Sequence, residues 1–344
     1  MGVDKEELRA VLINDTSLNN HYGCAIVTEQ IYTMSAANGI IIKATVPLRA
    51  NWKEDKYASA IYSADLVIVN GEGSVHHARS FAKDMLRVVE YCKEHGIPAF
   101  FINGVYQEND FETDVLMQQF TKIWVREGFS QKTLAASGIE ATVVPDMVIS
   151  FEPQVSRLAD HALDVLYSDS VTRDVTQELA RRAWENHGGR TEFLTLRKSA
   201  KRPSRNGVFY LIDTIRKMRS RRVAGALIYN PGVSGHCKSI DDFLTVICSS
   251  RLVVTGRFHM LCICLILEIP FLAIKSNSHK IESMLEDIGL SERLIKCTMP
   301  DVARLQSASE WQDDELLKLR NWLVSSRVAI NQMFSEISQT VRNI

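Results

Sequence analysis

The sequence predicts an α/β protein of two Rossmann-like domains facing a cleft, with a long C-terminal helix. Three observations carry this. Short β-branched apolar runs alternate with helical stretches of about 10–15 residues, the pattern of βαβ units on a parallel sheet. The alternation restarts after residues 150–160, where Pro145 and Pro153 interrupt it. The last stretch repeats Leu316, Leu319, Leu323, Ile330, Phe334, Ile337 and Val341 at helical spacing. The expected domains are 1–155, 156–310 and a helical segment, 311–344, packing on the body.

In the first domain, residues 9–13, 40–46, 65–69, 97–102, 122–125 and 142–144 read as strands. Residues 24–38 and 80–95 read as helices, the second stopped by Gly96. In the second domain, residues 163–167, 191–196, 226–229, 251–255 and 271–274 read as strands. Helices are expected over 172–187, 208–219 and 279–288.

The chain has 344 residues, 46% of them apolar and 24% charged, so wholesale disorder is excluded. Its formal net charge is −1, which excludes a general polyanion binder. No apolar run approaches the roughly 18–20 residues of a membrane span. The charged start, residues 1–9, lacks the apolar core of a secretory signal. Seven cysteines without a CxxC pair read as reduced thiols, and Cys262 and Cys264 as core residues. The expected location is the cytoplasm. There is no HExxH, DxD or Cys/His cluster with ligand spacing, so no metal is expected.

In open α/β sheets, ligands bind outside the carboxyl ends of the strands, so the loops there carry the candidates. The loop over residues 14–23 is crowded with Asn14, Asp15, Asn19 and His21, which suit sugar hydroxyls as well as turns and caps. Residues 70–77 place Glu72 between Gly71 and Gly73, followed by Ser74 and His76. The glycines allow close backbone approach. Glu72 is a candidate general base or a helix cap, with His76 about one helical turn on. Gly256, Arg257 and His259 lie between an apolar strand and an apolar helix. There the dipole, free N–H groups and a guanidinium fork favour an anion. Lys275, Ser276, His279 and Lys280 add cationic and hydroxyl groups nearby, and residues 230–236 close another strand.

Residues 197–222 hold ten Lys/Arg and one acid, Asp213. This run reads as a solvated face or as peripheral contact with the inner face of an anionic membrane. No aromatic residue interleaves its loop portion, so nucleic acid is not expected.

Three segments, in order, resemble the polysaccharide pyruvyl transferase family. They are the strand ending in Asn70-Gly71-Glu72-Gly73-Ser74 with the His76-His77 pair, then WVREGFSQKTLAASGIEATVVPDMVISF, then VVTGRFHMLCICLILEIPFLAIKSNSHKIESMLEDIGL. They match the family's Gly-rich loop, its Arg126-Glu127 to Asp146 segment and its RLHA-type motif, here Arg257-Phe258-His259. The resemblance covers roughly residues 10–290 and implies a GT-B-like fold. It also implies pyruvate transfer from phosphoenolpyruvate to two hydroxyls of a bacterial surface glycan, with Arg257 and His259 binding the donor. The acceptor would be a glycan or lipid-linked glycan, and no cofactor is required beyond that donor substrate. Two departures stand out. Glu72 replaces the loop's middle glycine, and the expected arginine after the first strand of the second domain is missing from Tyr167-Ser168-Asp169-Ser170. Arg197, after the next strand, is the candidate replacement. The alternative is a GT-B glycosyltransferase using a nucleotide-activated sugar, with Glu72 or Asp15 as base. A non-enzymatic scaffold is the third reading.

Overall fold

The computed structural model describes residues 7–19, 21–155, 161–185, 190–196, 237, 239–295 and 300–344. Arg197, the basic run 197–222, the helix expected over 208–219, the strand over 226–229 and the loop 230–236 lie outside them. The chain divides into two units. The first comprises residues 1–19, 24–150 and 321–344, and the second residues 20–23 and 151–320.

The first unit is built on a six-stranded parallel sheet. Its strands are Leu8–Asp15 (β1), Ile40–Pro47 (β2), Leu66–Glu72 (β3), Ala99–Gly104 (β4), Lys122–Val125 (β5) and Thr142–Val143 (β6), in the order β2-β1-β3-β4-β5-β6. Every residue of β3 and β4 is buried, as a strand covered on both faces requires. β2 lies on one side of β1 and β3 on the other. The strand order therefore reverses there, and the crevice this opens lies beyond Asn14 and Asn70. The helices are Tyr22–Ala37 (α1, whose first two residues belong to the second unit), Asp55–Tyr62 (α2), Ser80–Leu86 (α3), Val88–Glu94 (α4), Phe111–Met117 (α5) and Gly128–Ala136 (α6). The helix expected over 80–95 is thus two, separated at Arg87. Asp110 caps α5 by accepting from the Thr113 N–H at 3.1 Å, and Glu127 caps α6 through the Ser130 N–H at 3.0 Å.

The second unit repeats the plan. Leu163–Ser170 (β7), Thr191–Leu194 (β8), Ser250–Gly256 (β9), Phe271–Ile274 (β10) and Leu294–Ile295 (β11) form a parallel sheet in the order β11-β10-β9-β7-β8. The reversal falls between β7 and β9, beyond Asp169 and Gly256. Its described helices are Arg173–Glu185 (α7), Ile240–Cys248 (α8), Phe258–Ile266 (α9), Lys280–Ile288 (α10) and Val302–Ala308 (α11). Cys262 and Cys264 are fully buried in α9, consistent with core packing.

The final helix, Asp313–Arg342 (α12), contributes its first residues to the second unit and residues 321–342 to the first. In the first unit it buries Leu323, Ile330, Met333, Phe334 and Ile337. Lys122 pairs with Glu336, Asn38 reaches Asn331 at 3.2 Å, and Arg327 donates to the Ile149 carbonyl at 3.3 Å. Among the described residues, no helix is long and apolar enough to cross a membrane.

Candidate functional site

In the first unit the predicted residues meet at the reversal point. Asn14, Glu72 and Asn103 stand at or near the carboxyl ends of β1, β3 and β4, and all three have left-handed backbones, with φ of 66°, 39° and 56°. Left-handed non-glycine residues cost free energy and persist only where their surroundings over-determine them. Here a buried chain of hydrogen bonds does so. Asn14 Nδ2 donates to the Asn70 carbonyl at 2.6 Å, and Asn103 Nδ2 to Asn70 Oδ1 at 3.1 Å. Asn70 Nδ2 in turn donates to Glu72 Oε1 at 3.3 Å, and the Met147 N–H closes on Asn103 Oδ1 at 3.2 Å.

The Glu72 carboxylate is 7% exposed and well supplied with donors. Thr16 Oγ1 also donates to its Oε1, and Cys24 Sγ donates to Oε2 at 3.5 Å. Burial pushes the Cys24 thiol well above its ordinary range, and the neighbouring Glu72 charge adds to this. Glu72 caps no helix. It ends β3, and residues 73–79 are non-helical, so His76 is not one helical turn from it. His76 is instead 1% exposed, in a bridge to Gln107. Its Nδ1 lies 2.6 Å from His77 Nδ1, and His77 Nε2 lies 3.0 Å from a Glu108 carboxylate oxygen. One proton at most fits between the two Nδ1 atoms.

The other candidates in this unit have structural tasks. A Cβ on Gly71 would collide with the Phe101 ring and lie 2.7 Å from the Gly104 Cα. The residue is glycine because an aromatic ring fills its space, not because a ligand approaches there. Gly73 is half-buried, and the Ser74 N–H closes a turn on the Gly71 carbonyl at 3.0 Å. Asp15 Oδ1 accepts from the Ser17 N–H at 2.8 Å, and the Asn19 N–H from the same loop donates to the Thr16 carbonyl at 2.9 Å.

The 126–146 segment is a brace. Arg126 Nη1 meets Asp146 Oδ2 at 3.0 Å, with both side chains almost fully buried. Glu127 accepts from the Ser130 hydroxyl, whose oxygen takes the Tyr106 N–H at 2.7 Å. This ties the end of β4 to α6.

In the second unit, Arg257 precedes α9 at the reversal point. Its Nε donates to Asp169 Oδ2 at 2.8 Å, and Nη2 donates to the same oxygen. Asp169 Oδ1 accepts the Leu196 N–H at 3.2 Å. The predicted anion-binding arginine therefore already has a carboxylate partner. That partner comes from the tetrapeptide in which an arginine was missing. The Nη1 edge of Arg257 makes no hydrogen bond among the described residues. Gly256 lets β9 pack against β7, since a Cβ there would lie 2.6 Å from the Ser170 Cβ. His259, half-buried in the first turn of α9, meets the His21 ring edge-on at 5.4 Å. His21, expected among acceptor-binding groups, thus belongs with His259 in the second unit.

The loop after β10 is partly folded on itself. Lys280 is 7% exposed, and its Nζ donates to Asn277 Oδ1 at 3.0 Å, with Ser276 Oγ at 3.2 Å from the same oxygen. Lys275 is exposed and 3.7 Å from a Glu282 carboxylate oxygen, and His279 precedes α10. Ser278 is buried nearby, and its hydroxyl has no partner among the described residues. Asp169, Thr16, Asn70 and Asn103 were missed as site residues. An acid or amide at the end of an apolar strand, paired with a polar group at the end of the next, is the signal that could have found them.

A family model described as polysaccharide pyruvyl transferase matches residues 21–278. A search of curated protein sequences returns no match. Among solved structures, the UDP-N-acetylglucosamine 2-epimerase of Rickettsia bellii is similar at 10% identity and TM-score 0.55, covering 98% of both chains. The UDP-GlcNAc 2-epimerase of Methanocaldococcus jannaschii is similar at 10% identity and TM-score 0.52, covering 98% of this chain and 99% of that one. UGT73P12 of Glycyrrhiza uralensis, solved with glycyrrhetinic acid 3-O-monoglucuronide, is similar at 10% identity and TM-score 0.51, covering 98% and 96%. At this identity the likeness is one of fold, and the fold is GT-B.

Proposed function

We propose, from the premise that this chain belongs to the polysaccharide pyruvyl transferase family, that it is a transferase moving pyruvate from phosphoenolpyruvate to two hydroxyls of a bacterial surface-glycan precursor. The observation that carries this reading is Arg257 at the N-terminus of α9, with His259 two residues on. Free N–H groups, helix dipole and guanidinium act there on one anion. The side-on pair with Asp169 fixes the guanidinium plane and leaves the Nη1 edge for the donor's phosphate or carboxylate.

The chemistry requires a proton at the methylene carbon of phosphoenolpyruvate and loss of one from the attacking hydroxyl. The hydroxyl oxygen bonds to the central carbon, the C–O bond to phosphate breaks, and the second hydroxyl closes the ketal, its proton leaving with the phosphate. Glu72 is the base we assign, through its buried carboxylate at the reversal point of the first unit. Asn70, Thr16 and Cys24 donate to its two oxygens and hold the carboxylate in place. His76, hydrogen-bonded to His77, which in turn meets Glu108, is the second candidate for accepting the hydroxyl proton. Lys275, Ser276, His279 and Lys280 would line the donor side, and Asn14, Asn19 and Ser74 the acceptor side.

The test is donor titration followed by thermal unfolding. A ligand at a hundred times its Kd stabilises by about 2.7 kcal/mol. Phosphoenolpyruvate at millimolar concentration should raise Tm in the wild type and not in Arg257→Ala. A rise with nucleotide sugars and none with phosphoenolpyruvate would replace this reading with glycosyl transfer.

A further inference from the structure

The first unit holds a cavity of about 450 Å3 that shares only Asn14 with the residues assigned above. It lies beside the carboxyl ends of β1 and β2, under the segment 49–53 and against α3. That volume falls within the roughly 300–1,000 Å3 of small-ligand sites. Its wall combines three kinds of group. Trp52, Phe81 and Met85 give an apolar surface, Asn14 and Asn51 give amides, and Arg49 and Lys53 give charge.

The charge is uncompensated. Arg87 and Asp84 also line the cavity, but they pair with each other at 2.9 Å. Arg49 and Lys53 make no ion pair among the described residues. Instead the Arg49 guanidinium lies over the Phe81 ring at 5.3 Å, and the Lys53 ammonium over Trp52 at 5.4 Å. Stacking on rings holds two cations at the rim without neutralising them. Arg49 itself has a left-handed backbone, with φ of 63°. Trp52 is anchored beneath by its Nε1 donating to the Asp84 carbonyl at 2.8 Å.

Apolar wall, amides and two free cations together match a pyranose ring bearing a negative group. Asn14 joins this cavity to the reacting end of the unit, because its side chain holds Asn70, which in turn holds Glu72. We infer that the cavity is a subsite for an anionic sugar of the acceptor, with its carboxylate or phosphate on Arg49 and Lys53. The inference rests on the reading that the acceptor is a glycan, and it adds that this glycan carries a negative group.

The test needs no donor, so it stands or falls apart from the phosphoenolpyruvate result. Methyl β-D-glucuronide, glucose 1-phosphate and neutral methyl β-D-glucoside are titrated into the wild-type chain and into R49Q/K53Q, with binding read by ligand-observed NMR. Both replaced side chains are exposed, so the variant keeps its fold. One or both charged sugars should bind the wild type at least about tenfold more tightly than the neutral one, and the variant should lose that margin. Raised salt should erode it as well. Preference for the glucuronide assigns a uronate acceptor, and preference for the phosphate a phosphorylated one. Equal binding of all three sugars, no binding of either charged sugar, or an unchanged margin in R49Q/K53Q overturns the inference.

Discussion

The two units place their reversal points alike and equip them differently. In the first, β1 and β3 end in amides and a carboxylate joined by a closed set of hydrogen bonds. In the second, β7 and β9 end in a single ion pair, Asp169 with Arg257, one edge of which remains open. The first arrangement is rigid because three left-handed residues depend on it. The second is a largely buried pair, with the Arg257 side chain 16% exposed and that of Asp169 5%, and it keeps one guanidinium edge for a further anion. The same strand order thus supports a closed polar frame in one case and an ion pair with an open edge in the other.

The comparison breaks first where the rigid frame is braced. Asp146→Ala removes the carboxylate opposite the buried Arg126 guanidinium and should cost about 3–5 kcal/mol. The urea midpoint measures it, and a loss below about 1 kcal/mol would mean the brace is dispensable. A smaller effect, in binding and not stability, is expected at the second reversal point. Asp169→Asn keeps shape and one acceptor but removes the charge facing Arg257. Phosphoenolpyruvate should then bind up to about tenfold more tightly by calorimetry, roughly 1.4 kcal/mol. Weaker binding would show that Asp169 serves chiefly to orient the guanidinium.

The smallest effect concerns pH. The hydrogen bond from Lys83, with help from Thr113, holds the Asp110 carboxyl at about 2. The unfolded group titrates near ~3.9. Its contribution is therefore present above about pH 4 and is lost as pH falls through 2. Asp110→Asn should flatten the acid limb of Tm against pH, with a slightly lower Tm than the wild type at pH 7 and the two curves converging below about pH 2.

Much of the fold was legible because buried parallel strands read as apolar runs. Residues 65–69 and 251–255 could be little else. The short helices α2, α5 and α11 escaped notice, since seven or eight residues show too little periodicity. The break at Arg87 was hidden because the apolar pattern continues across it. At the site, the sequence marked Glu72 and Arg257 through their position between strand and helix. It could not show their partners. Thr16 is far from Glu72 in the chain, and Asp169 is far from Arg257, so only the folded sheets join them. Gly71 misled for a related reason: the ring that demands it, Phe101, comes from the neighbouring strand.

The division of α12 has a practical consequence for dissecting this protein. A chain cut between the two sheets, after Ser150, would leave the first sheet without Ile330, Phe334 and Ile337, and would strand those apolar side chains on the other fragment. Neither piece would then be a natural folding module. An independently foldable first unit calls for rewiring, with residues 321–344 joined through a linker to the residues before β1 and the chain ended at 150. Circular permutants tolerate such joins where termini are exposed.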